Sequence, residues 1–269
     1  MSDFLRQMAD SSSARAAAIK RSFSDDDLDR PAYPLRLGGF DLIAEIKNRS
    51  PAEGELAAGA GNGQDRATRY ADGGAAAISV LTEPDRFDGA LTHLEEIVRT
   101  VAHRQVPVMR KDFLVDSVQV LEAKASGASG VLLIAAMLDD KSLLNMLDCA
   151  FEHELFVLLE SFDALDLERC VVLLQQTRYR EQADAKKLLL GVNTRDLRTL
   201  AVEPSRLQTF GPRLPEGVVC VAESGLHSAE DAARVKSWGY SVALVGTALM
   251  RANEPAALIK AMLRAGRNA

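Results

Sequence analysis

The stretch GVLLIAAMLDDKSLLNMLDCAFEHELFVLL, residues 130–159, contains the unit that decides the fold. Two continuous apolar runs, 130–134 and 155–159, flank the segment 138–152, in which apolar residues recur at the helical period. Strands that are apolar throughout, rather than at alternate positions, are typical of a parallel sheet covered by helices. This stretch therefore predicts a strand, a helix and a second, parallel strand.

The same alternation continues along most of the chain. Eight short apolar runs lie at residues 40–46, 75–81, 106–109, 130–134, 155–159, 188–192, 218–222 and 242–245. Segments with helical periodicity lie between or after them, for example at 116–125, 228–237 and 254–264. Eight such units favour a single closed (β/α)8 TIM barrel of the α/β class over an open doubly wound sheet.

The length of the chain fits that architecture. Barrels of this kind typically need about 250 residues, and the chain has 269. Residues 1–38 precede the first strand, and the Ala-, Arg- and Ser-rich pattern at 3–23 predicts an extra amino-terminal helix. Because no stretch has the composition of a linker, we expect one domain, with a helical extension at 1–38 and the barrel at 39–269.

Composition argues against several classes of partner. A net charge of −6 disfavours binding to nucleic acid or to an anionic membrane, which would favour clustered Lys and Arg. Cys149, Cys170 and Cys220 are far apart and lack metal-ligand spacing, which indicates buried thiols in a reducing cytoplasm. No apolar run has the length of a signal peptide or of a membrane span. We therefore expect a cytoplasmic monomer or weak homo-oligomer that holds its anionic ligand in a local site.

Polar and charged residues occur where five of the predicted strands end. The active site of a (β/α)8 barrel lies at the carboxyl ends of its strands. Charges are costly to bury there unless they are paired, so their convergence predicts a functional site rather than packing. These residues are Glu45, Lys47 and Ser50 at the first strand, Arg110, Lys111 and Asp112 at the third, Glu160 at the fifth, Asn193 and Arg195 at the sixth, and Glu223 and Ser224 at the seventh.

The two lysines have a second interpretation. Lys47 and Lys111 could each form a solvated ion pair at the rim. Two ammonium groups that face two glutamates in one mouth would shift each other's pKa, however, which favours a catalytic role. Arg110 and Asp112 alternate with Lys111 along the strand, so we expect them to point away from it and to pair beneath the rim.

Two glycine-bearing strand ends come last in the chain, AESGL at 222–226 and LVGTAL at 244–249. Phosphate-binding barrels hold the phosphate with backbone N–H groups of the loops after the seventh and eighth strands. Gly225, Gly246 and Thr247 fit that role. The alternative is that these glycines only make tight turns.

Several segments together resemble the signature segments of the indole-3-glycerol phosphate synthase family, in order and in spacing. They are AEIKNRSP at 44–51, SVLTE at 79–83, PVMRKDF at 107–113, GVNTRDL at 191–197, AESGL at 222–226 and LVGTALM at 244–250. The resemblance implies the substrate 1-(2-carboxyphenylamino)-1-deoxyribulose 5-phosphate, which is closed, decarboxylated and dehydrated to indole-3-glycerol phosphate. It implies no metal and no organic cofactor.

The resemblance also implies roles for individual residues. Lys111 resembles the general acid that protonates the ribulose carbonyl, and we expect a lowered pKa to suit it to that task. Lys47 resembles the lysine that grips the anthranilate carboxylate, and Glu45 the carboxylate that orients this lysine. Glu160 resembles the acid–base group of the dehydration.

The remaining matches concern binding. Asn193 and Arg195 match family residues that position the substrate and the catalytic glutamate. Polar groups on the sugar side are Glu223 and Ser224. The phosphate positions of the family are Ser50, Gly225, Gly246 and Thr247. An apolar floor for the aryl ring is expected from Leu81, Phe87, Phe113 and Ile134, although ordinary core packing also explains Ile134.

The chain departs from the family at several places. In Ala52-Glu53-Gly54, Glu53 stands where the family usually has a lysine, so the charge is reversed, and four glycines at 54, 59, 61 and 63 predict a mobile loop over 52–64. LLESFD at 158–163 also differs from the usual sequence around the glutamate. Three alternatives stay open: a paralogue in a specialised pathway, a non-catalytic phosphate-binding barrel, and a phosphoribosylanthranilate isomerase, which would need a cysteine base at a strand end.

Overall fold

The computed structural model describes residues 3–50, 54–56 and 62–269. Eight parallel strands pair in chain order, and the last pairs with the first, so the predicted closed barrel is confirmed. The barrel strands are β1 (Asp41–Ile46), β2 (Ala77–Leu81), β3 (Val108–Lys111), β4 (Gly130–Ile134), β5 (Phe156–Ser161), β6 (Leu188–Asn193), β7 (Cys220–Glu223) and β8 (Val242–Val245). Arg49–Ser50 and Gly54–Glu55 form a short antiparallel ribbon beyond β1.

Helices surround the barrel and join its strands. The α-helices are α1 (Asp3–Ala18), α2 (Asp25–Leu28), α3 (Gly63–Gly73), α4 (Pro84–Phe87), α5 (Leu91–Val101), α6 (Ser117–Ala125), α7 (Asp140–Glu152), α8 (Ala164–Leu173), α9 (Thr177–Asp184), α10 (Arg206–Phe210), α11 (Ala229–Ser237), α12 (Thr247–Arg251) and α13 (Pro255–Arg267). Short 3₁₀ turns lie at Ala102–Arg104, Ala135–Met137 and Gly211–Arg213. None of these helices is both long and apolar enough to cross a membrane.

Several strands extend further toward their carboxyl ends than the apolar runs predict. β7 ends at Glu223 rather than at residue 222, and β6 ends at Asn193 rather than at 192. The parallel hydrogen-bond ladder between β6 and β7 continues to these first polar positions, where Asn193 and Glu223 are register partners. Asn193 and Glu223 are therefore held by strand backbone rather than by loops.

The amino-terminal helix is present but shorter than predicted. α1 ends at Ala18 rather than at residue 23. The chain then leads to α2, and Ser24 caps the amino terminus of this helix in a capping box with Asp27. α1 packs through the fully buried Leu5, and Arg15 binds the carboxylate of Asp112, the residue directly after β3. The extension is thus joined to the end of the barrel that carries the polar residues.

Candidate active site

A cavity of about 270 Å³ opens at the carboxyl ends of the barrel strands. The structure brings nearly all the predicted site residues to its wall. They are Glu45, Lys47, Leu81, Phe87, Lys111, Phe113, Ile134, Glu160, Asn193, Arg195, Glu223, Ser224, Gly225, Gly246 and Thr247. The exception is Ser50, whose side chain lies outside the described part of the chain.

Lys47 and Glu45 form an ion pair in the cavity wall. Lys47 Nζ lies 2.8 Å from Glu45 Oε1. Burial would raise the pKa of Glu45, but Lys47 and Lys111 outweigh it and hold this pKa below its ordinary value. Gly246 lies against the pair, since a Cβ there would be 2.2 Å from Glu45 Oε1 and 3.0 Å from Lys47 Nζ. A side chain at position 246 would therefore displace the pair.

Lys111 lies between two buried carboxylates. Its Nζ is 3.5 Å from Glu160 Oε2 and 4.0 Å from Glu223 Oε2. Burial opposes the charged form of Lys111, yet Glu160, Glu223 and Glu45 outweigh it and raise the pKa above its usual value. The prediction of a lowered pKa was wrong, because the sequence did not reveal how many carboxylates surround this ammonium group.

Glu223 has the opposite perturbation from Glu45. Burial, followed by the neighbouring Glu160 carboxylate, raises the pKa of Glu223 well above its ordinary value. Within the described residues, none of the four carboxylate oxygens of Glu160 and Glu223 accepts a hydrogen bond of ordinary geometry, and Lys111 Nζ approaches Glu160 Oε2 only to 3.5 Å. Once Glu223 carries a proton, the two groups can hydrogen-bond to each other. Gly191 of β6 makes room for Glu223, since a Cβ there would lie 2.1 Å from its Oε1.

Arg110 and Asp112 form an ion pair, as predicted, although Asp112 also lines the cavity rather than pointing wholly away from it. Asp112 accepts two hydrogen bonds from Arg15, both of 2.8 Å. Thr82 Oγ1 donates to the same carboxylate at 2.7 Å, and Arg110 Nη2 at 3.2 Å. Burial would raise the pKa of Asp112, but these donors lower it to about 2. The cluster ties α1, β2 and β3 together beside Lys111.

An aromatic wall lines another part of the cavity. Phe113 contacts Phe4 edge-on and Phe87 at a tilt, with ring centroids 6.0 Å apart in both pairs. The buried Glu83 caps α4 by accepting hydrogen bonds from three backbone N–H groups, among them that of Phe87. Phe4 was missed from the sequence, because nothing in the pattern of α1 shows that this helix reaches the cavity.

The ends of β7 and β8 form the side of the cavity predicted for phosphate. Ser224 and Gly225 both adopt left-handed backbone conformations, with φ of 65° and 76°. This conformation is costly for Ser224, which has a Cβ. Thr247 begins α12 directly after Gly246. These residues share the cavity wall with His227, which the sequence reasoning did not single out.

A family comparison decides what kind of protein carries this site. The model of the family described as indole-3-glycerol phosphate synthase matches residues 5–262. The chain belongs to the indole-3-glycerol phosphate synthase family. A relative of that name from a Nocardioides species is 40% identical over 252 residues, which cover 93% of this chain and 91% of the relative. One from Koribacter versatilis is 38% identical over 225 residues, covering 84% and 80%.

Solved structures show the fold outside the family. A 3-hexulose-6-phosphate synthase from Salmonella typhimurium superposes with a TM-score of 0.62 at 15% identity, covering 84% of this chain and 98% of that one. An orotidine 5'-phosphate decarboxylase from Pyrococcus horikoshii superposes with a TM-score of 0.56 at 15% identity, covering 85% and 100%. At these identities the likeness extends to the barrel alone.

The cysteines of this indole-3-glycerol phosphate synthase family member lie away from the cavity. Cys149 is in α7 and Cys170 in α8, while Cys220 begins β7 at its amino end. Cys170 and Cys220 are buried as predicted, whereas Cys149 is half-buried. The strand-end cysteine base of an isomerase is thus missing from the described cavity. Nor do three His, Cys, Asp or Glu side chains cluster as metal ligands anywhere among the described residues.

Proposed function

We propose that this chain converts 1-(2-carboxyphenylamino)-1-deoxyribulose 5-phosphate to indole-3-glycerol phosphate, carbon dioxide and water in tryptophan biosynthesis. Family membership supports the reaction. The observation that carries the residue assignment is the Lys111 ammonium group between Glu160 and Glu223 at the base of the cavity. It combines a fixed proton donor with two carboxyl groups of which one favours its protonated form.

Ring closure is the step assigned to Lys111. The aryl carbon that bears the carboxylate attacks the ribulose carbonyl carbon, a C–C bond forms, and the carbonyl oxygen takes up a proton. That oxygen becomes far more basic than an amine as its double bond breaks, so an ammonium group with a raised pKa still donates to it. The raised pKa of Lys111 keeps the acid charged throughout the working pH range.

Loss of carbon dioxide is assigned to the Lys47 side of the cavity. Lys47, held by Glu45 at 2.8 Å, is proposed to bind the substrate carboxylate, while the Phe113 wall receives the aryl ring. When the carboxyl C–C bond breaks, its electron pair returns to the ring and restores aromaticity. An apolar wall favours this step because the leaving group is neutral.

Dehydration is assigned to the two glutamates. The hydroxyl group formed in ring closure leaves as water after it takes a proton, and the former methylene carbon beside the nitrogen loses one. Glu160 is proposed as the acid–base group, with Glu223 as its proton-sharing neighbour. The raised pKa of Glu223 supports this pairing, because two adjacent carboxylates favour a state with one proton between them.

The other cavity residues are proposed to bind and orient the substrate. Asn193 Oδ1 accepts a hydrogen bond from the Arg195 backbone N–H at 2.9 Å, which fixes the Asn193 amide at the end of β6. Ser224 is assigned to the sugar. Ser50, Gly225, Gly246 and Thr247 are assigned to the phosphate, for which the neighbouring ends of β7 and β8 provide backbone N–H donors.

We further propose that the protein works in the cytoplasm as a small-molecule enzyme. All three cysteines lie in the described part of the chain and all are free, which is usual in a reducing compartment.

Incubation of the purified protein with the carboxyphenylamino substrate tests the proposed reaction directly. Indole fluorescence should appear with multiple turnovers, and one carbon dioxide should be released per indole formed. Tight substrate binding without product in a single-turnover experiment would favour the non-catalytic alternative. The gene can also be placed in a tryptophan auxotroph that lacks its own synthase. Failure to support growth on minimal medium, despite slow turnover in vitro, would favour a specialised pathway.

A further inference from the structure

The segment after β6 folds back on itself at the cavity rim. Residues 194–203, which we call the β6 hairpin, are closed by an antiparallel bridge between Arg195 and Val202. The Asp196 N–H donates to Ala201 O at 2.9 Å, and the Leu200 N–H donates to Asp196 O at 2.7 Å. Leu200 has a left-handed φ of 62°, which a residue with a Cβ adopts only when its surroundings hold it there.

One side of the β6 hairpin forms part of the cavity wall. Arg195, Leu197, Leu200 and Val202 all line it. Arg195 Nη1 also donates to the Leu200 carbonyl at 3.2 Å. The position of the Arg195 guanidinium therefore depends on the conformation of the hairpin tip.

The tip is tied to the neighbouring barrel strand by Arg198. Its Nη2 lies 2.5 Å from Asp163 Oδ2 and 3.3 Å from Asp166 Oδ2, at the amino end of α8. The same guanidinium lies over the Phe162 ring, 4.8 Å from the centroid. Phe162 is fully buried directly after β5, the strand that carries Glu160. Arg198 thus connects the β6 hairpin to the strand of the proposed acid–base group.

We propose that Arg198 is a positioning residue that holds the β6 hairpin against β5 and thereby sets affinity for the substrate. Its kinetic consequence rests on the proposed function. The contact combines two carboxylates with a ring face, and a planar guanidinium satisfies both at once. Without it, ordering of the hairpin would have to occur on binding, and that entropy cost would be subtracted from the binding free energy.

Arg198→Ala is compared with Arg178→Ala, a matched control outside the site. Arg178 also pairs with a carboxylate, Asp148 at 2.9 Å, and lies 4.4 Å over an aromatic ring, that of Tyr179. Arg198→Ala should raise KM about tenfold with kcat reduced by less than about threefold, because it weakens binding of the substrate and of the transition state to a similar extent. Arg198→Lys should recover part of this loss, since it keeps the charge. Arg178→Ala should leave both constants unchanged.

Amide hydrogen exchange provides a readout that needs no turnover. Exchange at Asp196 and Leu200 should be faster in Arg198→Ala and unchanged in Arg178→Ala. Equal exchange in Arg198→Ala and the unmodified protein would overturn the proposal, as would the same rise of KM in both alanine variants. If the unmodified protein gave no indole but exchange increased only in Arg198→Ala, the proposed reaction would fail while the positioning role stood.

Discussion

Lys111 and Asp112 are consecutive residues, yet the two buried charge clusters around them differ in how fully they are satisfied. Asp112 accepts hydrogen bonds from Arg15, Thr82 and Arg110, and its pKa falls to about 2. Lys111 faces two carboxylates, Glu160 and Glu223, whose oxygens accept no hydrogen bond of ordinary geometry within the described residues, and the pKa of Glu223 rises. The Asp112 carboxylate is fully paired and acts as a structural joint, although Arg15 Nε beside it has no hydrogen-bond partner among the described residues. The incomplete pairing around Lys111 fits the proton exchange and ligand binding proposed for that site.

The largest effect should follow from removing the centre of the incompletely paired cluster. Lys111→Met should lower kcat for ring closure by about 10³-fold or more, while substrate affinity stays within about tenfold, because a general acid acts mainly in the transition state. Fluorescence assays with calorimetric titration of the substrate would measure both. Losses of similar size in binding and turnover would place Lys111 among the binding residues instead.

The next prediction concerns the proton on Glu223. Glu223→Gln should lower kcat about 10²-fold, because an amide cannot share a proton with Glu160. A folded-state pKa above the unfolded value means that the folded state favours the protonated carboxyl. This stability contribution is present below the unfolded pKa of about 4.3 and is lost as pH rises through the raised folded pKa.

The Gln variant does not titrate, so its Tm relative to that of the unmodified protein should rise between pH 5 and pH 8. Glu168→Gln, at an exposed position on α8, is the control. A constant Tm difference across this range would mean that Glu223 is ionised throughout, and the contrast between the two clusters would disappear.

In the fully paired cluster the same type of change should act on stability. Asp112→Asn should lower the free energy of unfolding by about 2 to 4 kcal/mol at pH 7, because it removes the carboxylate that pairs with Arg15 and leaves Arg110 with Glu122 alone, at 2.8 Å. With a folded pKa of about 2, the contribution of Asp112 is present above the unfolded pKa of about 3.9. It is lost as pH falls through 2. Urea unfolding at pH 7 and pH 3 should therefore show a narrower gap at pH 3, and an equal gap would contradict the assigned pKa.

The sequence predicted the barrel and most of the polar cavity because both follow from local rules. Continuous apolar runs mark parallel strands, and the first polar residue after each run falls at one end of the barrel. Contacts between distant segments carry no such local signal. Phe4 reaches the cavity from α1, Gly191 makes room for a side chain of the next strand, and Lys111 acquires three carboxylates from three different strands.

The direction of the Lys111 pKa shift could therefore not be predicted from the sequence and required the structure of the assembled barrel. Desolvation alone would lower this pKa, and one neighbouring carboxylate would act against it. The net pKa shift depends on the distances from Lys111 to carboxylates that are far apart in the chain. Glu53 shows a different limit. This residue, which departs from the family pattern, lies outside the described part of the chain, so the mobile loop predicted around it stays a prediction from sequence.

The smallest expected effect sharpens the comparison by removing one hydrogen-bonding group from the fully paired cluster. Thr82 Oγ1 donates to Asp112 at 2.7 Å and accepts from Arg110 Nε at 3.1 Å. Thr82→Val keeps the shape but loses both bonds, so the free energy of unfolding should fall by about 1 to 2 kcal/mol. Arg15 still holds Asp112, and no part of the Lys111 cluster changes, so kcat should stay within about twofold.

Thr100→Val is the matched control, because Thr100 Oγ1 donates only to a carbonyl of its own helix, that of Glu96 at 2.8 Å. That variant should change the free energy of unfolding by less than about 0.5 kcal/mol. Urea unfolding and the fluorescence assay on both valine variants decide the point. If Thr82→Val lowered kcat as strongly as Glu223→Gln, the two clusters would act as one network, and the division between structural joint and reactive site would have to be abandoned.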